Sequence, residues 1–234
     1  MGPSEDDETF LLWGDSHAGA LGPLVEHEAL THNYAGALAF RPACAPVLQV
    51  RYSSSRFDTR FEPCDGFRDS VLDYVASHHI KNIFLHARWG WYTEEPETAP
   101  NSGPERKLAE FERLLRITLG ELRRRGLNVV IIASVPEPGL DVPTALSRHA
   151  LSGLPEEVAP RFSDFMRRQN PTLEALRRAA DEYSVPVVYP HRILCDTVTC
   201  MVVKDGWSLY QDDSHLSTHG ALAVAPMLAG YLGE

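Results

Sequence analysis

The chain has 234 residues, 44% hydrophobic and 23% charged, the proportions of an ordinary globular protein long enough to bury the core of one α/β domain. Its formal net charge of −10 argues against nucleic acid as a partner and against a polybasic surface for membranes. The longest strand-like apolar run, Val129-Val130-Ile131-Ile132-Ala133, is far too short to cross a bilayer.

In chain order, residues 1–9 carry Glu5-Asp6-Asp7-Glu8 and read as a solvated tail or linker, leaving 10–234 as a single domain. Phe10–Trp13 is a buried strand, Gly14-Asp15-Ser16-His17 a tight turn, and Ala18–Ala29 a helix. Ala35–Phe40 is a second strand, followed by Arg41-Pro42-Ala43-Cys44 and a polar stretch, Val47 to Glu62, without periodicity. A helix over Phe67–Ser77 leads into a strand over Asn82–His86 and the triplet Ala87-Arg88-Trp89. Trp89–Pro104 reads as an irregular, proline-bearing loop whose Trp89, Trp91 and Tyr92 either stack on a sugar face or pack the loop down. In Arg106–Arg125 the residues Leu108, Phe111, Leu115, Leu119 and Leu122 recur at helical steps, and Arg123-Arg124-Arg125 form a solvated, dipole-offsetting end. A strand over Asn128–Ser134 and a long connection, Glu137–Phe165, long enough to form a lid, precede a helix over Pro171–Ser184. The chain closes with a strand over Val185–Tyr189 and a helix over Thr218–Tyr231. Strands alternating with helices predict a three-layer α/β sandwich around a mostly parallel sheet of about five strands.

Four cysteines, Cys44, Cys64, Cys195 and Cys200, permit three disulfide pairings, of which the local one, Cys44–Cys64 with Cys195–Cys200, is simplest. Closing the first loop of about twenty residues stabilises by roughly 3 kcal/mol through the unfolded chain. Free buried thiols are the alternative, and the absence of a Cys-x-x-Cys pair argues against zinc. Disulfides imply an oxidising compartment, which for a bacterial protein is the periplasm or cell surface.

Two segments carry the chemistry. A serine where a strand meets a helix has its backbone N–H near the helix N-terminus, where it can meet a developing oxyanion; the bland alternative is that Ser16 only caps the helix. Near the C-terminus, Asp212-Asp213-Ser214-His215 places Asp212 and His215 three apart. Serine needs a base to take its proton, histidine is the usual base, and a carboxylate fixes the histidine tautomer. Ser16, His215 and Asp212 are therefore the candidate nucleophile, base and orienting acid. Asp213 or Ser217 could cap the following helix in the same turn. Ser214 is a rival nucleophile, although adjacent residues seldom reach attack geometry. His17 reads as structural or substrate-facing.

These blocks resemble the SGNH/GDSL hydrolase superfamily, Gly14-Asp15-Ser16 matching its first block and Asp212-x-x-His215 its last. They are most similar to the branch fused to acyltransferase family 3 membrane proteins. That pattern appears as Leu12-Trp13-Gly14-Asp15-Ser16-His17-Ala18, Ala87-Arg88-Trp89, Val135-Pro136-Glu137-Pro138 and Asp212-x-x-His215-Leu216-Ser217-x-x-Gly220-Ala221. The wider superfamily's asparagine block is missing, and Ala87-Arg88-Trp89 stands in its place, so Arg88 is a candidate oxyanion donor or else a carboxylate partner holding a loop. The amide of Ala43 or Cys44 is a candidate for the second-block donor.

The resemblance implies a serine-dependent O-acyl(acetyl)transferase acting on hydroxyls of bacterial surface polysaccharide such as O-antigen, with no metal or organic cofactor. It places the chain at the periplasmic face of the inner membrane, as a soluble domain receiving its acyl group through a membrane domain outside this sequence. A carbohydrate esterase would use the same residues and give the acyl group to water. A non-catalytic polysaccharide-binding module would have no use for Ser16, Asp212 and His215 together.

Overall fold

Side-chain alternation along the first strand sets up the layers. The computed structural model describes residues 8–49, 64–93, 104–152 and 158–231. In β1 (Glu8–Gly14), Leu11 and Trp13 enter one apolar cluster while Phe10 and Leu12 enter another. Successive strand side chains point to opposite faces, so a run that is apolar at every position, as Phe10–Trp13 is, must be covered on both.

The strands β2 (Ala35–Phe40), β3 (Asn82–His86), β4 (Asn128–Ile132) and β5 (Val187–Val188) join β1 in a parallel sheet of order β2-β1-β3-β4-β5. The register pairs Phe10 with Asn82, Leu12 with Phe84 and Gly14 with His86. Chain order reverses between β1 and β3, and open α/β sheets bind ligands at the strand carboxyl ends beside such a point. This is the mostly parallel five-stranded sandwich that the alternation of elements predicts.

Helices α3 (Cys64–Ser77), α5 (Pro104–Arg124) and α7 (Phe162–Glu182) cover the face carrying Leu11 and Trp13. Helices α1 (Ser16–Ala20), α2 (Gly22–His32) and α9 (Thr218–Ala223) cover the other. Helix α4 (Trp89–Thr93) joins the first of these faces, α6 (Val142–Ser152) and α8 (His191–Leu194) join the second, and β6 (Val203–Lys204) pairs with β7 (Trp207–Ser208) in a hairpin.

Several boundaries differ from the sequence reading, each for a local reason. The first helix is two, because Pro23 lacks an amide hydrogen and restarts the chain at Gly22. Helix α7 begins nine residues before Pro171, and burial of Phe165 and Gln169 holds the proline inside the helix. The last helix stops at Ala223, and Ala225-Pro226 continues as a 3₁₀ turn to Leu228. The start of the Trp89–Pro104 loop is α4, and the Glu137–Phe165 connection contains α6; residues 94–103 and 153–157 lie outside the described residues, as do 1–7 and 50–63.

Both expected disulfides are present, Cys44–Cys64 and Cys195–Cys200. The basic end of α5 is solvated, Arg124 and Arg125 both pairing with Glu121. Among the described residues no helix is long and apolar enough to cross a membrane.

Candidate active site

The turn after β1 is built by three consecutive residues with different tasks. Gly14 lies so close to β3 that a Cβ would sit 1.7 Å from the His86 carbonyl oxygen. Asp15 caps α1: its Oδ1 accepts from the His17 amide at 2.9 Å. Its Oδ2 accepts from the Arg88 amide at 3.1 Å and the Tyr92 hydroxyl at 2.9 Å. The cap is thus Asp15, not Ser16, and Ser16 is the first residue of the helix. Burial raises the Asp15 carboxyl above its ordinary range, against the opposing pull of those three donors.

Ser16 meets the C-terminal turn. Its Oγ lies 2.9 Å from His215 Nε2, and His215 Nδ1 lies 2.8 Å from Asp212 Oδ2. The other Asp212 oxygen accepts from the backbone amides of Ser214 at 2.9 Å and His215 at 2.7 Å. A carboxylate with this many donors cannot rotate freely. Partial burial pushes its pKa up, but the two amides and the His215 ring outweigh that and hold it below the ordinary value. Nδ1–H donating to Asp212 leaves the Nε2 lone pair to accept the Ser16 hydroxyl proton.

Neighbouring segments fix this turn. The Gly139 amide donates to the Asp213 carbonyl at 3.1 Å, and the Tyr210 hydroxyl donates to the Pro136 carbonyl at 2.5 Å. Ser217 caps α9, its Oγ accepting from the Gly220 amide at 3.2 Å. Ser214 is buried and its hydroxyl donates to Asp213 at 3.1 Å, whereas the serine hydroxyl that meets His215 Nε2 is that of Ser16. His17 is buried with its ring 4.3 Å from that of His215. Burial first, and then repulsion from Arg88 and from His215 and His86 whenever they are protonated, holds the His17 pKa well below normal. Near neutral pH it is therefore an uncharged ring packed beside that of His215.

One expectation needs correction. Trp89 is fully buried, packs edge-on against Phe111 and donates its indole N–H to the Ile132 carbonyl at 2.8 Å, so it is a core residue and offers no face to a substrate. The Arg88 guanidinium is paired with buried Glu137 at 2.5 Å, and Arg168 meets the same carboxylate at 2.9 Å. The carboxylate partnership is thus present for this side chain, and the backbone amide of Arg88 supports the site through Asp15. The Cys44 amide is likewise occupied, donating to the Arg41 carbonyl at 3.1 Å.

An open cleft of about 630 Å³ lies over Ser16, lined by Gly19, Phe40, Gln211, His215 and Thr218 among others. Glu137 and Tyr92 escaped the sequence reading as site-supporting residues. Glu137 had a signal in Val135-Pro136-Glu137-Pro138, whereas Tyr92 had only its place in an aromatic cluster.

A serine, a histidine and an aspartate are thus joined in series at the carboxyl end of a parallel sheet. Solved structures agree on the architecture. The periplasmic domain of a lipopolysaccharide acetyltransferase from Salmonella ser. Paratyphi A aligns with a TM-score of 0.71 at 14% identity, over 97% of this chain and 85% of that one. An acetyl xylan esterase aligns at 0.52 and 14% identity, over 95% and 98%. A GDSL-like lipase from Bacteroides thetaiotaomicron aligns at 0.53 and 9% identity, over 99% and 91%. The protein belongs to the family of SGNH domains fused to AT3 domains, whose pattern it matches over residues 1–230. Among curated proteins its sequence has no match.

Proposed function

We propose that this domain transfers an acyl group, acetyl in the simplest case, to a hydroxyl of bacterial surface polysaccharide through an acyl-serine at Ser16. The observation that carries the reading is the unbroken chain Ser16 Oγ, His215 Nε2, His215 Nδ1, Asp212 Oδ2. Ser16 Oγ attacks the acyl carbonyl carbon while its proton passes to His215 Nε2. The tetrahedral intermediate collapses, the donor's leaving oxygen takes that proton, and the acyl group stays on Ser16. The acceptor hydroxyl then attacks the ester carbonyl, His215 takes its proton and returns it to Ser16 Oγ, and the acylated glycan leaves. Asp212 accepts from Nδ1–H throughout and stabilises the imidazolium. The Ser16 amide, in the first turn of α1, is the oxyanion donor in this scheme.

The fused AT3 domain of the family is the proposed source of the acyl group, and the two disulfides support a periplasmic location. Covalent labelling tests the reading. A fluorophosphonate should add to Ser16, and a simple acetyl ester should be turned over only while Ser16 and His215 are intact. Release of free acetate unaltered by any added oligosaccharide would make the domain an esterase instead. Absence of both labelling and turnover would leave a non-catalytic glycan module.

A further inference from the structure

Of the four tryptophans, Trp207 is the one that the fold leaves open. It is 58% exposed, whereas Trp13 and Trp89 are fully buried and Trp91 packs against the core. Its ring stacks on that of exposed His219 with centroids 4.4 Å apart and planes inclined by 6°.

This pair is built rather than incidental. Trp207 follows the two-residue turn Asp205-Gly206, both at positive φ, the conformation that closes a tight hairpin and pairs Lys204 with Trp207. His219 stands on α9, whose start is fastened to the segment after Trp207. The Ser217 hydroxyl donates to the Ser208 carbonyl at 2.6 Å, and the Ser217 amide donates to the Leu209 carbonyl at 2.9 Å. Gly220 allows this approach, since a Cβ there would lie 2.0 Å from the Leu209 carbonyl oxygen. The same fastening leads to the reacting atoms. Ser217 is two residues beyond His215, and Thr218, next to His219, lines the cleft over Ser16.

We infer that the Trp207–His219 pair is a stacking platform for a glycan chain whose reacting hydroxyl enters the Ser16 cleft. The inference rests on the acyl-transfer reading and names the part of the molecule that holds the acceptor. A pyranose presents one face of C–H bonds and a rim of hydroxyls. A rigid aromatic surface matches that face while the hydroxyls stay in water, and a pre-stacked pair loses little freedom on binding. The surroundings favour a hydrated ligand over a protein. Lys204, Asp205 and Thr218 are exposed beside the pair, and the core of a protein–protein interface is depleted of such charges.

The test uses Ser16→Ala protein, so that binding is read without turnover, and maltohexaose, xylohexaose and chitohexaose as probes. Tryptophan fluorescence should change on binding, because Trp207 is the most open of the four indoles. Adding Trp207→Ala should weaken binding about tenfold, the scale of a lost aromatic contact, and Trp207→Phe should recover part of it. His219→Ala should weaken it less. Leu30→Ala, at a 65% exposed apolar residue remote from the turn in sequence, should bind as the parent does. Unchanged binding in Trp207→Ala, or no binding of any of the three up to millimolar concentration, overturns the platform. Loss of a dimer in Trp207→Ala on sedimentation also overturns it, by making the face a contact between copies. Ester turnover by the Ser16-intact protein is measured separately. Turnover without glycan binding rejects only the platform, and its absence rejects the reading beneath it.

Discussion

Each residue around Ser16 can be judged by what its removal leaves behind. Ser16→Ala removes a hydroxyl held only by His215 Nε2 among the bonds described, so turnover of an acetyl ester should fall by about 10⁴-fold or more with little change in melting temperature. Asp212→Asn keeps the shape of the turn but changes what His215 Nδ1 meets. An asparagine that turns its NH₂ to the ring forces the wrong tautomer, and a loss of about 10⁴-fold is expected. A kinetic comparison of these variants with His215→Ala checks the assignment, and near-normal rates in any of the three would refute it. Arg88 separates two roles by two readouts. Its guanidinium sits on Glu137, whose side chain is nearly buried, so Arg88→Ala should lower stability by about 1–3 kcal/mol while Arg168 still holds the carboxylate. An oxyanion donor would behave differently, losing about 10²–10³-fold in kcat. Denaturant unfolding beside kcat measurement distinguishes them, and the expected result is a stability loss with kcat within tenfold of the parent.

At the scale of elements, the site depends on how closely β1 approaches β3. Gly14→Ala would drive a methyl group into the His86 carbonyl, a backbone atom that cannot rotate away. Separation of the strands at their carboxyl ends should cost about 1–3 kcal/mol and displace Ser16 from His215, so stability and turnover should fall together. Normal turnover in a fully stable Gly14→Ala protein would show that this approach is not needed. The same elements show what could be read from sequence. β2 and β3 were legible to the residue, because apolar strands closed by polar ends leave little choice. The Ser16–His215–Asp212 set was legible because Gly14-Asp15-Ser16 and Asp212-x-x-His215 are short local patterns. The start of α7 was hidden because Pro171 is a stronger local signal than the burial of Phe165, which only the packed core reveals. Trp89 and Trp207 show the same limit at single residues. Both are tryptophans beside polar neighbours, and only tertiary packing decides that one is buried under α5 and the other left open.

For the whole molecule, two buried histidines and one half-buried one give stability a dependence on acid. His86 lies in the sheet, and burial lowers its pKa to about 4, only partly opposed by the Ile132 carbonyl that accepts from its Nδ1 at 3.0 Å. His191 is lowered to about 4 as well, by burial and then by the charge of Arg192, and His17 is held well below normal. In the unfolded chain these rings regain the ordinary value of about 6.5. Between that value and about 4 the unfolded state binds more protons, so stability falls as pH drops through this window. Asp212 adds to the loss at lower pH, because its carboxyl is depressed and must be protonated against its hydrogen bonds. Asp15 works the other way: its raised pKa means that the folded form takes up a proton first, which offsets part of the loss. For His86 alone the difference of about 2.5 pKa units corresponds to on the order of 3 kcal/mol between pH 6.5 and pH 4. Urea unfolding across that range should show the midpoint falling steadily with acid. His86→Asn, which can keep a donor toward Ile132 but does not titrate, should be less stable at pH 7 and lose distinctly less between pH 6.5 and pH 4. An equal loss in parent and variant would show that the proton uptake on unfolding lies elsewhere.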